Sequence, residues 1–448
     1  MTSEAPPSPG RSPVRRSLAR DAATTISSRF LLAALILATD VVVARTLGPD
    51  GKGRFTLVLL LSQLAALAIG LGLDRAIGVT VARSVASARA SLGNALTWTL
   101  IVGGGAAMAG LALAALGAVP NLAPSDLVFA ALALPLELLF SMGLLALLGR
   151  QLLGVYNATR LTRRAVLLAG LGIVALAGLD LRAALAVNLV ALVAGAALFL
   201  FALRRDGVTP ARPERRLLGD QLRYGIRSWP GSLAERLQFR ADLFLVNALV
   251  GVTATGVYSV AASVAETLWY IPAALGAVIF SRVAAGGLEA APLTSAVTRV
   301  TLAFGLLVGA PALVLAPIGV QLLYGSAFRE AGPALQLLLP GIVAYGVVAV
   351  LSQFLLAAGA PGRSTLVLLC GLALNLVANA LLIPRFGIMG AAMSSSFSYT
   401  VTALLMVITF HRLTHQPLRE TLVVRRSDIR RLAARASGRT LGSDARGA

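Results

Sequence analysis

Side chains that carry chemistry are scarce in this chain of 448 residues. It has one cysteine, Cys370, two histidines, His411 and His415, and one lysine, Lys52. A lone cysteine excludes an internal disulfide and a cysteine-built metal site. The two histidines lie four positions apart with no carboxylate or cysteine to complete a ligand set, so they read as interfacial side chains and not as a metal centre. Charged residues make up only 13% of the chain, and a soluble domain of this size needs far more polar surface. No nucleophile–base constellation stands out, so the sequence points away from an enzyme and implies no cofactor.

What remains is mostly apolar: 57% of residues are hydrophobic and the mean hydropathy is +0.83. Stretches such as 57–73, 95–119 and 183–203 are long enough to cross a hydrocarbon core of about 30 Å as helices. Twelve helices are expected, at about residues 24–44, 55–74, 95–118, 127–149, 165–180, 183–203, 225–249, 254–281, 296–320, 333–358, 364–384 and 388–411. The fold class is therefore all-α, a polytopic membrane protein. The fifth of these helices is short, and the seventh carries many charges.

Net charge +20 and a pI near 11.6 raise the question of nucleic acid. The placement of the charges argues against it. Basic residues occupy the two tails and alternate loops, including Arg15, Arg16, Arg163, Arg164, Arg204, Arg205, Arg215, Arg216 and the cluster from Arg425 to Arg439. This is the positive-inside pattern, and it implies a multi-pass cell-membrane protein with both termini cytoplasmic and arginines that also attract anionic lipid. The expected organisation is a disordered polar leader (1–23), a six-helix lobe (24–203), a cytoplasmic linker (204–223), a second six-helix lobe (224–411) and a basic cytoplasmic tail (412–448). The leader has no signal-peptide core or cleavage site.

The two lobes repeat each other. Leu47-Gly48 followed by Gly53-Arg54-Phe55 matches Val250-Gly251 followed by Gly256-Val257-Tyr258, Asp40 matches Asp242, and Gln151-Leu152-Leu153 matches Gln353-Phe354-Leu355, all at an offset of about 202–203. Six helices per repeat means that both halves enter the membrane from one side. They are then related by a pseudo-twofold axis along the membrane normal, with a central cleft between them. Gly48 and Gly251 would end one helix, and Gly53 and Gly256 would begin the next.

Charge inside a membrane span is costly and marks a cavity or a partner. In the first helix Arg29 and Asp40 share a face. In the seventh, Glu235, Gln238 and Asp242 form one stripe and Arg236, Arg240 and Asn247 an adjacent one, so this helix should line a water-filled cleft. Ser232, Gln238 and Asn247 are expected to be reached from that cleft. Glu137 and Glu266 stand isolated in apolar helices, each either a proton carrier for coupled transport or the partner of an arginine. Pro135, Pro230, Pro272, Pro311 and Pro340 fall within helices. Gly103-Gly104-Gly105 reads as close helix packing.

Asp242-Leu243-Phe244-Leu245, Val250-Gly251 and Gly256-Val257-Tyr258-Ser259-Val260-Ala261 resemble the helical pattern of polysaccharide flippases. So do Leu382-Ile383-Pro384-Arg385-Phe386-Gly387-Ile388-Met389-Gly390 with Ser398-Tyr399, and the stretch 355–362. These proteins belong to the multidrug/oligosaccharidyl-lipid/polysaccharide exporter superfamily, and the resemblance spans about residues 20–412. It implies alternating-access movement of an undecaprenyl-pyrophosphate-linked oligosaccharide from the inner to the outer leaflet, for cell-surface polysaccharide. The partners would be that lipid, membrane lipids and a coupling proton or sodium ion. Cationic cleft residues would neutralise the pyrophosphate, with Arg29 in the position most consistent with the family's cationic first helix. The alternatives are a multidrug/cation antiporter of the same fold, a membrane glycosyltransferase or polymerase, and a non-transporting scaffold. The antiporter needs dominant carboxylates in the cleft, the enzyme large external loops, and the scaffold its basic tail.

Overall fold

A computed structural model describes residues 13–116, 121–178 and 180–423, without the side chains of residues 13–29, 277 and 281. The structure is that of an all-α, polytopic membrane protein. Its helices are α1 (Pro13–Gly70), α2 (Leu73–Val81), α3 (Val85–Trp98), α4 (Gly104–Ala115), α5 (Pro124–Gly149), α6 (Leu153–Leu176), α7 (Leu181–Arg205), α8 (Arg215–Gln238), α9 (Ala241–Leu249), α10 (Val252–Glu266), α11 (Tyr270–Gly286), α12 (Ala291–Tyr324), α13 (Ala331–Ala357), α14 (Pro361–Thr414) and α15 (Leu418–Leu422). Among the described residues, seven helical stretches are long and apolar enough to cross a membrane: Phe30–Gly70, Val85–Ala115, Pro124–Gly149, Leu181–Arg205, Val252–Tyr324, Ala331–Ala357 and Pro361–Thr414.

Several of these are interrupted where the sequence requires it. α1 bends sharply at Gly48 (φ 67, ψ −176) and α14 at Gly387 (φ 54, ψ −132). Both conformations favour a residue without Cβ; Gly48 precedes Pro49, and Gly387 follows Pro384 by three residues. The expected loop between the first two helices is thus a kink with almost no loop. A π-helical turn at Thr99–Gly103 joins α3 to α4, and a Cβ placed on Gly103 would lie 3.4 Å from Pro135 and Leu138 of α5. Gly104 and Gly105 meet nothing, so only the first of the three glycines serves close packing.

Other boundaries differ from expectation for a single reason: charged residues lie inside helices. α6 runs Leu153–Leu176, far longer than the expected 165–180, and takes in Arg160, Arg163 and Arg164. The third span begins at Val85, with Ser84 capping it by accepting from the Ser87 N–H. α8 begins at Arg215, which reduces the expected linker to a short connection after α7. α1 is helical from Pro13, ahead of the expected start. The basic tail beyond residue 423 lies outside the described residues, as does the side chain of Arg29.

Apolar packing is divided. Two clusters draw on α1 to α7, with Leu73, Leu138, Leu147 and Phe199 in one and Val43, Phe55, Leu171 and Ala184 in the other. A third draws mainly on α9 to α14, around Tyr258, Leu351, Phe354 and Phe410. α13 packs along α12 and α14, while α1 packs on α5, α6 and α10. Between the two regions α1 and α10 meet backbone to backbone. A Cβ placed on Gly53 would run into the Val252 carbonyl oxygen, and one on Gly256 into that of Pro49.

Candidate functional site

The helix expected to carry a wide polar arc is broken. α8 stops at Gln238, Phe239 and Arg240 are non-helical, and α9 starts at Ala241. Across from this break, α10 gives way to a 3₁₀ turn at Thr267–Trp269. The Arg240 guanidinium spans the two breaks with a two-pronged bond to Glu266, Nη1–Oε1 2.5 Å and Nη2–Oε2 2.8 Å. Phe239 and Trp269 pack with tilted rings, 4.2 Å between centroids, and Tyr345 and Tyr399 meet Phe239 edge-on.

Around this junction lie three chambers that share lining residues. The first, about 390 Å³, is lined by Asp74, Arg75, Trp229, Ser232, Glu235, Arg236 and Arg240, among others. The second, about 310 Å³, shares Leu67, Asp74 and Arg236 with it and adds Glu137, Arg163 and Arg164. The third, about 140 Å³, shares Gln63 and Arg164 with the second and Arg240 with the first, and reaches Asp40 and Lys52. The shared residues set the three chambers side by side among α1, α2, α5, α6, α8 and α10, and they are termed the cleft.

Much of its charge is already matched. Arg163 bonds Glu137 through both terminal nitrogens, Nη1–Oε2 at 3.0 Å, with both side chains buried. It also lies 4.7 Å from the centre of the Phe140 ring. Lys52 bonds Asp40, whose other oxygen accepts from the Tyr324 hydroxyl at 3.2 Å. What is left is Arg75, Arg164 and Arg236 with Asp74 and Glu235. Among the described residues none of these five makes an ion pair. Glu235 and Arg236 are solvent-accessible along the cleft wall.

Of the residues singled out from sequence, the cleft gathers Asp40, Glu137, Glu235, Arg236, Arg240 and Glu266. Asp242 is not among them. It is 3% exposed, accepts from Tyr258 at 2.6 Å, Ser395 at 3.1 Å and the Leu243 N–H at 2.8 Å, and lies between α9, α10 and α14. The stripe joining it to Glu235 assumed an unbroken helix, and the two non-helical residues turn it away. Gln238 is fully buried against Thr402, and Asn247 is 7% exposed. Of the three polar residues expected to be reached from the cleft, only Ser232 lines it. In a Cys370→Ala background, a cysteine at Ser232 should react with a water-soluble maleimide, while cysteines at Gln238 and Asn247 stay protected. Equal reactivity at all three sites would contradict this geometry.

Sequence reasoning missed Arg75, Arg164, Asp74 and Lys52. Arg164 falls in an expected loop, Asp74 and Arg75 at the end of the expected second helix, and Lys52 between the first two expected helices.

A family described as polysaccharide biosynthesis protein matches residues 42–333, well over half the chain. The chain belongs to that family. An uncharacterized membrane protein of Methanocaldococcus jannaschii is 27% identical over 219 residues, which is 47% of this chain and 43% of the relative. The chain thus aligns with less than half the length of that curated relative. Among solved structures, the lipid II flippase MurJ in an inward closed conformation is similar with a TM-score of 0.75 and 12% identity, over 89% of each chain. An inward-facing multidrug resistance MATE family transporter of the MOP superfamily gives 0.68 and 16%, over 88% of this chain and 99% of that one. A MOP superfamily transporter from Pyrococcus furiosus gives 0.59 and 17%, over 87% and 96%. At these identities the likeness is one of fold: the family member has the fold of the MOP superfamily transporters.

Proposed function

We propose that this family member is a transporter that moves a lipid-linked oligosaccharide from the inner to the outer leaflet by alternating access, and is not an enzyme. The observation that carries this reading is the charge left in the cleft after its ion pairs are matched. Arg75, Arg164 and Arg236 outnumber Asp74 and Glu235, which suits an anionic diphosphate head group. Family membership in polysaccharide biosynthesis adds to it. Arg29 and Asp40 belong to the same proposal as cation and bound carboxylate of the first helix. Glu137 and Glu266 are its candidate coupling groups: each holds an arginine, so protonation or ion binding at the carboxylate would release that arginine to the cleft. Asp242 takes part only as a buried group behind the cleft wall.

The second reading is a multidrug/cation antiporter. It is favoured by the similar MATE structures, two of which are described as multidrug resistance transporters, and by Asp74 and Glu235 in the cleft. The two readings separate on substrate charge, by transport of a lipid-linked glycan against transport of a lipophilic cation in the same vesicles.

The mechanism rests on a twelve-helix, two-lobe arrangement. The breaks at Gly48, Gly287 and Gly387 divide three of the seven long apolar stretches, and α6 and the α8–α9 pair add two spans too charged to register by hydropathy. Asp50 meets Thr253, Gly53 meets Gly256 and Thr56 meets Ser259, each pair related by the repeat offset. Equivalent positions touch each other only beside a twofold axis, which supports a parallel repeat with α1 and α10 at its centre. The orientation follows from the arginine asymmetry. A cysteine at Thr209 in a Cys370→Ala chain should be labelled only after the cytoplasmic face is opened, and labelling in intact cells would reverse the topology.

A further inference from the structure

Away from the cleft, an open groove of about 530 Å³ lies where the start of α6 passes the end of α7. Its walls are Leu152, Gly154, Val155, Ala158, Leu198, Phe201 and Ala202, and its rim carries Arg205 and Asp206. Asp206 is occupied: it accepts from Arg150 Nε at 2.7 Å, so these two charges cancel. Arg204 and Arg205, in the last turn of α7, have no such partner among the described residues. Arg205 is laid over the exposed Phe201 ring at 4.6 Å, which fixes its guanidinium at the mouth of the groove.

The opposite side of the mouth is the beginning of α6. Leu152 supplies no side-chain cap there, which leaves the first N–H groups of the helix without a side-chain acceptor at a position that borders the groove. Gly154 is exposed and a Cβ at that position would meet nothing within 4 Å, so the glycine keeps the groove open at the level of the rim. A trough with apolar walls, with Arg205 and an uncapped helix start at its rim, matches a molecule with a hydrocarbon chain and an anionic head. Basic pockets between transmembrane helices near the cytoplasmic surface bind anionic lipid head groups for this reason.

We infer that the α6–α7 groove is a binding site for one anionic phospholipid of the surrounding leaflet, with its head group on Arg205 and the α6 N-terminus and its acyl chain along Val155, Ala158, Leu198 and Phe201. The site is separate from the cleft and independent of which substrate the cleft carries. Bound lipid would brace α6, the helix that brings Arg163 and Arg164 to the cleft.

The test uses the purified full chain in nanodiscs of phosphatidylcholine with a minor fraction of phosphatidylglycerol, and native mass spectrometry to count retained lipids. The wild type should keep phosphatidylglycerol in preference to phosphatidylcholine. Arg205→Gln should lower that preference by about tenfold, the loss expected for one charge-assisted contact, and Arg205→Lys by less. Gly154→Leu should fill the groove and remove the bound lipid. Ala158→Phe, from the opposite end of the wall, serves as a second blocking variant if Gly154→Leu does not insert. Unchanged retention in Arg205→Gln, or equal retention of the two lipids by the wild type, would overturn the assignment. Displacement of the retained lipid by undecaprenyl pyrophosphate would also overturn it, making the groove a substrate-tail site.

Discussion

Alanine at Arg164 and Arg236 should abolish glycan movement while leaving the protein inserted at normal abundance. These two arginines line the cleft and make no ion pair among the described residues, so removing them leaves no carboxylate stranded. A charge-assisted contact to a diphosphate is worth about 1.5–3 kcal/mol. One lost contact should reduce flipping by roughly tenfold to a hundredfold, and two by the product if they act independently. Lysine replacements should retain part of the activity, because the charge survives and only the planar fork is lost. Arg163→Ala should behave differently. It strands a buried Glu137, at a cost of about 3–5 kcal/mol, so abundance should fall first. Adding Glu137→Gln should restore it. Wild-type flipping per inserted molecule in both cleft variants would remove these arginines from the head-group site.

A second large effect is expected from Gly256→Leu. The helices α1 and α10 touch through backbone at this position, and any side chain on Gly256 would collide with the Pro49 carbonyl. Backbone cannot swing aside as a long side chain can, and overpacking costs about 1–3 kcal/mol even where neighbours adjust. The two helices would therefore be held apart at the α1–α10 crossing and unable to close there. Transport should fall by more than tenfold with insertion intact. A cysteine at Ser259, which is 2% exposed, should change from protected to reactive in the same variant. Gly105→Leu, at an exposed position with open space around it, should leave both readouts unchanged. Normal transport by Gly256→Leu would mean that this contact is not part of the cycle.

The membrane class and most helical stretches were legible from apolar run length alone, and so was a helix end at Gly48, where the structure has a kink in place of the expected loop. The seventh span announced its cleft-facing role through Glu235, Arg236 and Arg240. The rest was hidden for two physical reasons. Positive-inside reasoning assigns arginines at segment ends to loops, yet Arg163 is neutralised within the protein by Glu137. That pairing lets α6 extend back through Arg160, and no one-dimensional pattern shows a partner 26 residues away. Helical stripes presuppose continuity, and the break at Phe239–Arg240 turns Asp242 and Asn247 from the cleft wall into the packed region behind it. The match of Asp40 with Asp242 in the repeat is likewise one of position and not of surroundings. Asp40 holds a lysine at the cleft, and Asp242 holds two hydroxyls in the core.

Sealed proteoliposomes containing the purified chain and an undecaprenyl-pyrophosphate oligosaccharide with a fluorescent sugar test the central claim most directly. Exposure of the sugar to a membrane-impermeant quencher is followed with time, beside uptake of a lipophilic cation under an imposed proton or sodium gradient. The account predicts glycan movement well above protein-free vesicles, its loss in the Arg164→Ala/Arg236→Ala double variant, and no gradient-driven cation transport. Cation transport that needs Asp74 or Glu235, with the glycan left in its original leaflet, would contradict it and establish the antiporter.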